Sequence, residues 1–287
     1  MTSETSESRA PIATFLGLTF ALSAVFWWLI AAAGSIGVHG GAYLAALMWC
    51  PGASALATRF AFRRSAPGGG PRSNVAAWAG LAYVLPLGYA TVAYGIVWAT
   101  GLGAVDLGRF QGSVAAFLVV GSFQSLVTAT GEELGWRGFL VPALARITSF
   151  ERTALASGAI WAGWHVPLII LADYNAGTPA WYAVTCFAIG VVSLSVAFAW
   201  LRLRSGSFWP AAVLHAAHNL FVQGFFDRVT IGTGPTRWLT GEFGAALAAA
   251  LLATAWFFWR QRARVQSVCA PVRTAGPRMS SAVTSAG

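Results

Sequence analysis

The sequence predicts an all-α fold, a polytopic transmembrane helical bundle of about eight spans with both termini cytoplasmic, and three observations carry that prediction. Apolar residues make up 57% of the 287-residue chain and charged residues only 9%, where a soluble domain carries roughly 25% charged. The apolar residues fall in several runs of about 20, the length that crosses a bilayer as a helix, with no alternation of the kind a barrel needs. The arginines segregate: with the 62–74 connection inside, Arg109, Arg228 and Arg237 lie outside, Arg137 lies within a span, and the remaining 14 of 18 lie inside. That bias is the positive-inside rule, and dropping one span would scramble it.

The net charge of +9 is carried entirely by arginine, and its position at span ends makes it a topology signal rather than a nucleic-acid footprint. Cys50, Cys186 and Cys269 are far apart and odd in number, so neither a disulfide framework nor a Cys-x-x-Cys metal site is indicated. Residues 1–11, with Glu4 and Glu7 against Arg9, lack the basic start of a signal peptide, so the first apolar run is read as a retained span. The expected location is a bacterial-type inner membrane.

Span 1 is expected over about 12–33, after a cytoplasmic N-terminal segment, and span 2 over about 41–61, bent at Pro51-Gly52 because proline removes an internal hydrogen bond. The basic 62–74 loop leads to span 3, about 75–100, interrupted by Pro86, and 101–111 is a short polar loop. Span 4, about 113–145, is too long for one perpendicular crossing, so it tilts, breaks or emerges at one end. Spans 5 to 8 follow at about 153–172, 180–201, 208–226 and 241–259, and the basic tail 260–287 reads as disordered. This divides the chain into accessory spans at 12–112, a core of four spans at 113–226, and a loop with span 8 at 227–259.

Within span 4, Gly131–Leu140 puts Glu132, Glu133 and Arg137 where lipid is otherwise expected. An ionisable group there costs about 3 kcal/mol or more and marks a functional site whose partner should be named. Glu133 and Arg137 are four apart and can pair on one helix face, while Glu132 is turned by about 100° to face elsewhere. At about 1.5 Å per residue, Glu132 and His165 each lie about 20 Å along their helices from the turn joining spans 4 and 5. His215 and Asn219, also four apart, lie about 10 and 16 Å into span 7, with His218 adjacent in phase. Three helices thus bring a carboxylate, an imidazole and a His/Asn pair to overlapping depths. A carboxylate beside an imidazole can activate water, and an amide with a second imidazole can donate to an oxyanion. Taken singly, each feature has a plainer reading: a structural ion pair at Glu133–Arg137, interhelical hydrogen bonds at His215 and Asn219, a solvated loop residue at His39.

Together these motifs resemble the CAAX-protease and bacteriocin-processing family of intramembrane endopeptidases, which includes the type II CAAX prenyl endopeptidases. The family's Glu-Glu-x-x-x-Arg is matched by Glu132, Glu133 and Arg137. Its Phe-x-x-x-His is matched at His165, with Trp161 where Phe is usual, and its His with Asn or Asp four residues on by His215 and Asn219. The resemblance covers roughly 113–226. It implies a glutamate-dependent protease in which Glu132 and His165 activate water, His215 and Asn219 form the oxyanion hole, and Glu133 and Arg137 support it.

No metal or other cofactor is expected; His-Glu-x-x-His is absent and the site lacks soft ligands, which argues against zinc. Gly-x-Ser-x-Gly, Gly-x-Gly-Asp and Glu-x-x-His are absent too. The expected partners are the lipid bilayer and a peptide or protein substrate at the membrane, with the site opening toward the cytoplasm or the bilayer. A non-catalytic immunity or scaffolding protein is the alternative. A proton-coupled transporter stands third, weakened by the lack of an internal repeat.

Overall fold

The computed structural model describes residues 3–62 and 73–269. Helix α1 spans Ser3–Ala33, α2 Ala42–Ala61 and α3 Val75–Ala99. Helix α4 spans Val114–Ala145, α5 Phe150–Leu171 and α6 Ala180–Ser205. Helix α7, Trp209–His218, runs on as a π-helix over Asn219–Phe226. Helix α8, Ala245–Arg260, is followed by the short α9, Ala263–Cys269. The molecule is therefore an all-α polytopic membrane bundle. Five of its helices, α1 from Arg9, α3, α4, α5 and α6, are long and apolar enough to cross a membrane, and α8 is a shorter apolar helix.

Several local expectations are corrected. Helix α1 is already formed at Ser3 and runs without a break into the apolar stretch Arg9–Ala33. Helix α3 is unbroken at Pro86, because neighbouring helices relieve the backbone groups that proline frees within a bundle. Helix α4 runs its full length without a break, with two π-turns at Phe117–Gly121 and Trp136–Leu140. The loop after α3 holds a strand, β1 (Gly103–Val105), paired antiparallel with β2 (Thr230–Gly232), Ala104 opposite Ile231. The first residues of the supposedly disordered tail form α9, which buries Val265 and Cys269. Residues 63–72 of the basic loop and 270–287 of the tail lie outside the described residues.

Helix α4 packs on α2 and α7, α5 on α6, and α6 on α8. In lipid, apolar side chains gain little by leaving their solvent, so close backbone approach decides which helices meet. Gly131 and Gly135 of α4 form such a contact with α2: a Cβ added at Gly131 would lie 2.8 Å from Met48 O, and one added at Gly52 would lie 2.6 Å from Gly131 O. A Cβ at Gly135 would overlap Pro51. Large rings then fill the space around this seam, with Phe15 edge-on to Trp136 at 5.8 Å. At the end of the bundle away from the arginine-rich turns, loops cross-link the helices. Asp173 accepts from Ser35 Oγ at 2.9 Å and Ile36 N at 2.8 Å, while Tyr94 donates to Asp227 and accepts from Gly241 N at 2.9 Å.

Candidate active site

The site is built on α4 just before its second π-turn. Glu132, Glu133 and Arg137 are 2%, 0% and 1% exposed, so none reaches bulk water through the surface of the protein. Arg137 Nη1 donates to Glu133 Oε1 at 2.8 Å, the i, i+4 pair that the spacing predicts. Its guanidinium lies against the rings of Trp161 (4.1 Å) and Phe198 (3.9 Å), which stand at 90° to each other and hold a planar cation with few polar partners. Two other arginines take the carbonyls of the π-turn: Arg202 Nε donates to Arg137 O at 2.8 Å and Arg59 Nη2 to Gly138 O at 2.9 Å. π-turns of this kind recur at functional sites, because they re-aim the side chains on either side.

Glu132 points away from this pair. Its Oε2 accepts from the indole Nε1 of Trp161 at 2.7 Å, from α5. One turn further along α5, His165 Nδ1 meets Trp161 O at 2.9 Å. A carbonyl only accepts, so Nδ1 carries the proton and Nε2 keeps a free lone pair. From α7, His215 Nδ1 lies 3.0 Å from Glu133 Oε1. His215 therefore belongs to the ion pair's network through Nδ1 and has only Nε2 left for a ligand. Among the described residues, Glu133 Oε2 has no hydrogen-bond partner.

A cavity of about 150 Å³ brings the expected residues together: Glu132, His165, His215 and Asn219 all line it. Asn219 is half-buried, at the first residue of the α7 π-helix. No hydrogen bond joins Glu132 directly to His165; they share the cavity wall instead. Most of its wall is apolar, and these four residues supply the polar partners that a bound water needs.

The sequence reading missed the far wall. Glu242, from the loop before α8, lines the same cavity and accepts from Tyr174 Oη at 2.6 Å, His218 Nε2 at 3.2 Å and Gln223 Nε2 at 2.9 Å. Tyr89 Oη in turn meets His218 Nδ1 at 2.6 Å. An acidic residue at the edge of a predicted span was the available signal. Span 8 was expected to begin at 241, yet α8 begins at Ala245, and Glu242 turns inward from the loop. Among the described residues, no three His, Cys, Asp or Glu converge to hold a metal ion.

Fold and site together define a polytopic membrane bundle with a buried polar cavity assembled by α4, α5 and α7. Residues 114–221 match the family model described as type II CAAX prenyl endopeptidase Rce1-like. The chain is also similar to "CAAX prenyl protease 2" of Methanococcus maripaludis, 28% identical over 129 residues that cover 39% of this chain and 46% of that protein. It thus spans about half the length of the curated relative it matches.

Proposed function

We propose that the chain is an intramembrane endopeptidase that hydrolyses a peptide bond with a water activated by Glu132 and His165. The observation that carries this reading is the single cavity lined by Glu132, His165, His215 and Asn219, from three separate helices. The Rce1-like match over 114–221 and a relative named as a protease support it.

Trp161 engages Glu132 Oε2, which leaves Oε1 to take a proton from water. His165 Nε2, unprotonated, orients that water or accepts the second proton. The water oxygen bonds to the peptide carbonyl carbon, and the carbonyl electron pair moves onto oxygen. The Asn219 amide donates to that oxyanion. His215 does so through Nε2 when the ring carries both protons, as an imidazolium beside the Glu133 carboxylate. Collapse breaks the C–N bond as Glu132 returns its proton to the leaving nitrogen, giving a carboxylate and an amine. Glu133, Arg137 and the Trp161 and Phe198 rings against it keep the donors in place. No metal enters these steps. The division into an accessory part at 12–112 and a catalytic core at 113–226 belongs to this proposal, as does placement in an inner membrane.

The test is cleavage of a reporter peptide library by detergent-purified protein, comparing wild type with Glu132→Gln and His165→Ala, with and without a zinc chelator. Chelator-insensitive cleavage by wild type, with at least a thousandfold loss in Glu132→Gln, is the expected result; about 4 kcal/mol of transition-state stabilisation corresponds to that factor. Cleavage that survives Glu132→Gln removes the assigned base, and chelator sensitivity reinstates a metal.

A further inference from the structure

The cavity and the arginines lie at opposite ends of the bundle. Consecutive helices alternate in direction, so the turns before α5 and α7, the α2–α3 connection and the end of α8 share one end. That end carries Arg59, Arg146, Arg152, Arg202, Arg204 and Arg260. Among the described residues, the other end, with the α1–α2, α3–α4, α5–α6 and α7–α8 loops, carries only Arg109, Arg228 and Arg237. By the positive-inside rule the first end is cytoplasmic.

The cavity extends toward the second end. Ile36, from the α1–α2 loop, Tyr174, from the α5–α6 loop, and Glu242, from the loop before α8, all line it, and no residue of the arginine-rich turns does. Tyr174, Gln223 and Glu242 are also shared with a recess of about 770 Å³ formed by residues 173–176 and 230–243 of the same loops. Three side chains thus separate the wall that holds Glu132 from a recess at the arginine-poor face. Toward the cytoplasm the cavity is closed by packed rings: Phe198 is fully buried, and Arg137 is wedged against it and Trp161.

We propose that the Glu132 cavity is entered from the non-cytoplasmic face of the membrane, through the recess at Tyr174, Gln223 and Glu242, so that its substrate is a peptide segment presented at that face. This rests on the peptidase reading for the substrate but not for the direction of access. This differs from the expectation of a site opening toward the cytoplasm or the bilayer. The substrate class narrows accordingly, from any protein near the membrane to chains whose cleavable segment is extracytoplasmic.

Single cysteines test the direction. The three native cysteines are buried, so the full chain with its native cysteines supplies the background. Ala176→Cys sits at the exposed rim of the recess and Ile147→Cys at the exposed turn before α5. In intact cells a membrane-impermeant maleimide should label Ala176→Cys, and label Ile147→Cys only after permeabilisation; the reverse pattern overturns the proposal. Equal labelling of both in intact cells, a mixed orientation, overturns it as well. In a second arm, a membrane-impermeant reporter peptide is added to right-side-out and inside-out vesicles, with Glu132→Gln as control. Cleavage confined to right-side-out vesicles supports entry from the outer face, and cleavage confined to inside-out vesicles defeats it. If neither vesicle type nor the detergent-solubilised protein cleaves the peptide, the peptidase reading fails, while the labelling still decides the direction of access.

Discussion

Trp161 touches more of the site than any other side chain. Its indole donates to Glu132, covers the Arg137 guanidinium at 4.1 Å, and stands edge-on to His165 and His215 at 5.7 and 5.4 Å. Phenylalanine would keep an aromatic ring at this position and lose the donor together with part of the indole's volume. A hydrogen bond to a charged group is worth about 1.5–3 kcal/mol, so Trp161→Phe should lower kcat by about 10- to 100-fold with KM little changed. An effect on KM alone would mean that the indole shapes the pocket rather than the carboxylate. The indole N–H resonance that vanishes in Trp161→Phe should lie downfield in wild type and move upfield in Glu132→Ala, a check that needs no activity. The same scale governs the ion pair. Arg137→Met strands a buried carboxylate and should cost about 3–5 kcal/mol, whereas Arg137→Met with Glu133→Gln should recover part of that loss. Thermal unfolding in detergent reads the difference, and additive losses would deny the coupling. Glu133–Arg137 could be read from spacing alone. The bond from Trp161 to Glu132 could not, because it joins two helices whose relative rotation no local pattern records.

At the scale of elements, the seam between α2 and α4 controls where the two carboxylates point. Gly131 and Gly135 flank them on the face that meets Met48–Gly52. Overpacking a close contact costs about 1–3 kcal/mol, and Gly135→Ala should reach that range, since the added methyl meets proline backbone that cannot move aside. Gly163, with open space around it, is the matched control, and its alanine variant should unfold like wild type. The Gly-x-x-x-Gly spacing of Gly131 and Gly135 went unread in the sequence, and its partner at Pro51 leaves no local signal there. Where the loops meet, Asp173 is held below the usual carboxylate range, chiefly by the Ile36 N–H and then by Ser35. A depressed value means the clamp stabilises the fold fully above the ordinary aspartate value of 3.8 and loses that contribution as the pH falls through the lower folded value. Asp173→Asn should therefore unfold slightly earlier than wild type at pH 7, and the gap should close in strong acid. A gap that persists there would point to packing rather than charge.

For the whole molecule, composition and arginine placement were enough for a helical membrane bundle, because lipid leaves the backbone few alternatives. Helix ends were less legible. Pro86 reads as an interruption in isolation, and only neighbouring helices make it tolerable; α9 forms because α5 and α6 offer it a surface. The π-turns escaped notice for a related reason. Each departs from the 3.6-residue period that sequence reading assumes. The turn at Trp136–Leu140 has one further consequence. It behaves as a one-residue insertion that the helix has absorbed, so the part of α4 before it and the part after it keep separate phases. Loss of Gly138 would let a regular helix close with both parts still facing their partners, because the turn had absorbed the extra residue. Loss of Ala129, from the regular stretch before the turn, would instead rotate the part before it against the part after it by about 100°. The Ala129 deletion should abolish a monodisperse detergent-solubilised species, and the Gly138 deletion should not. In this protein the reading frame of the helix is a heritable part of the site: variants that exchange residues can preserve it, and variants that change its length keep it only at the turn that absorbs the change.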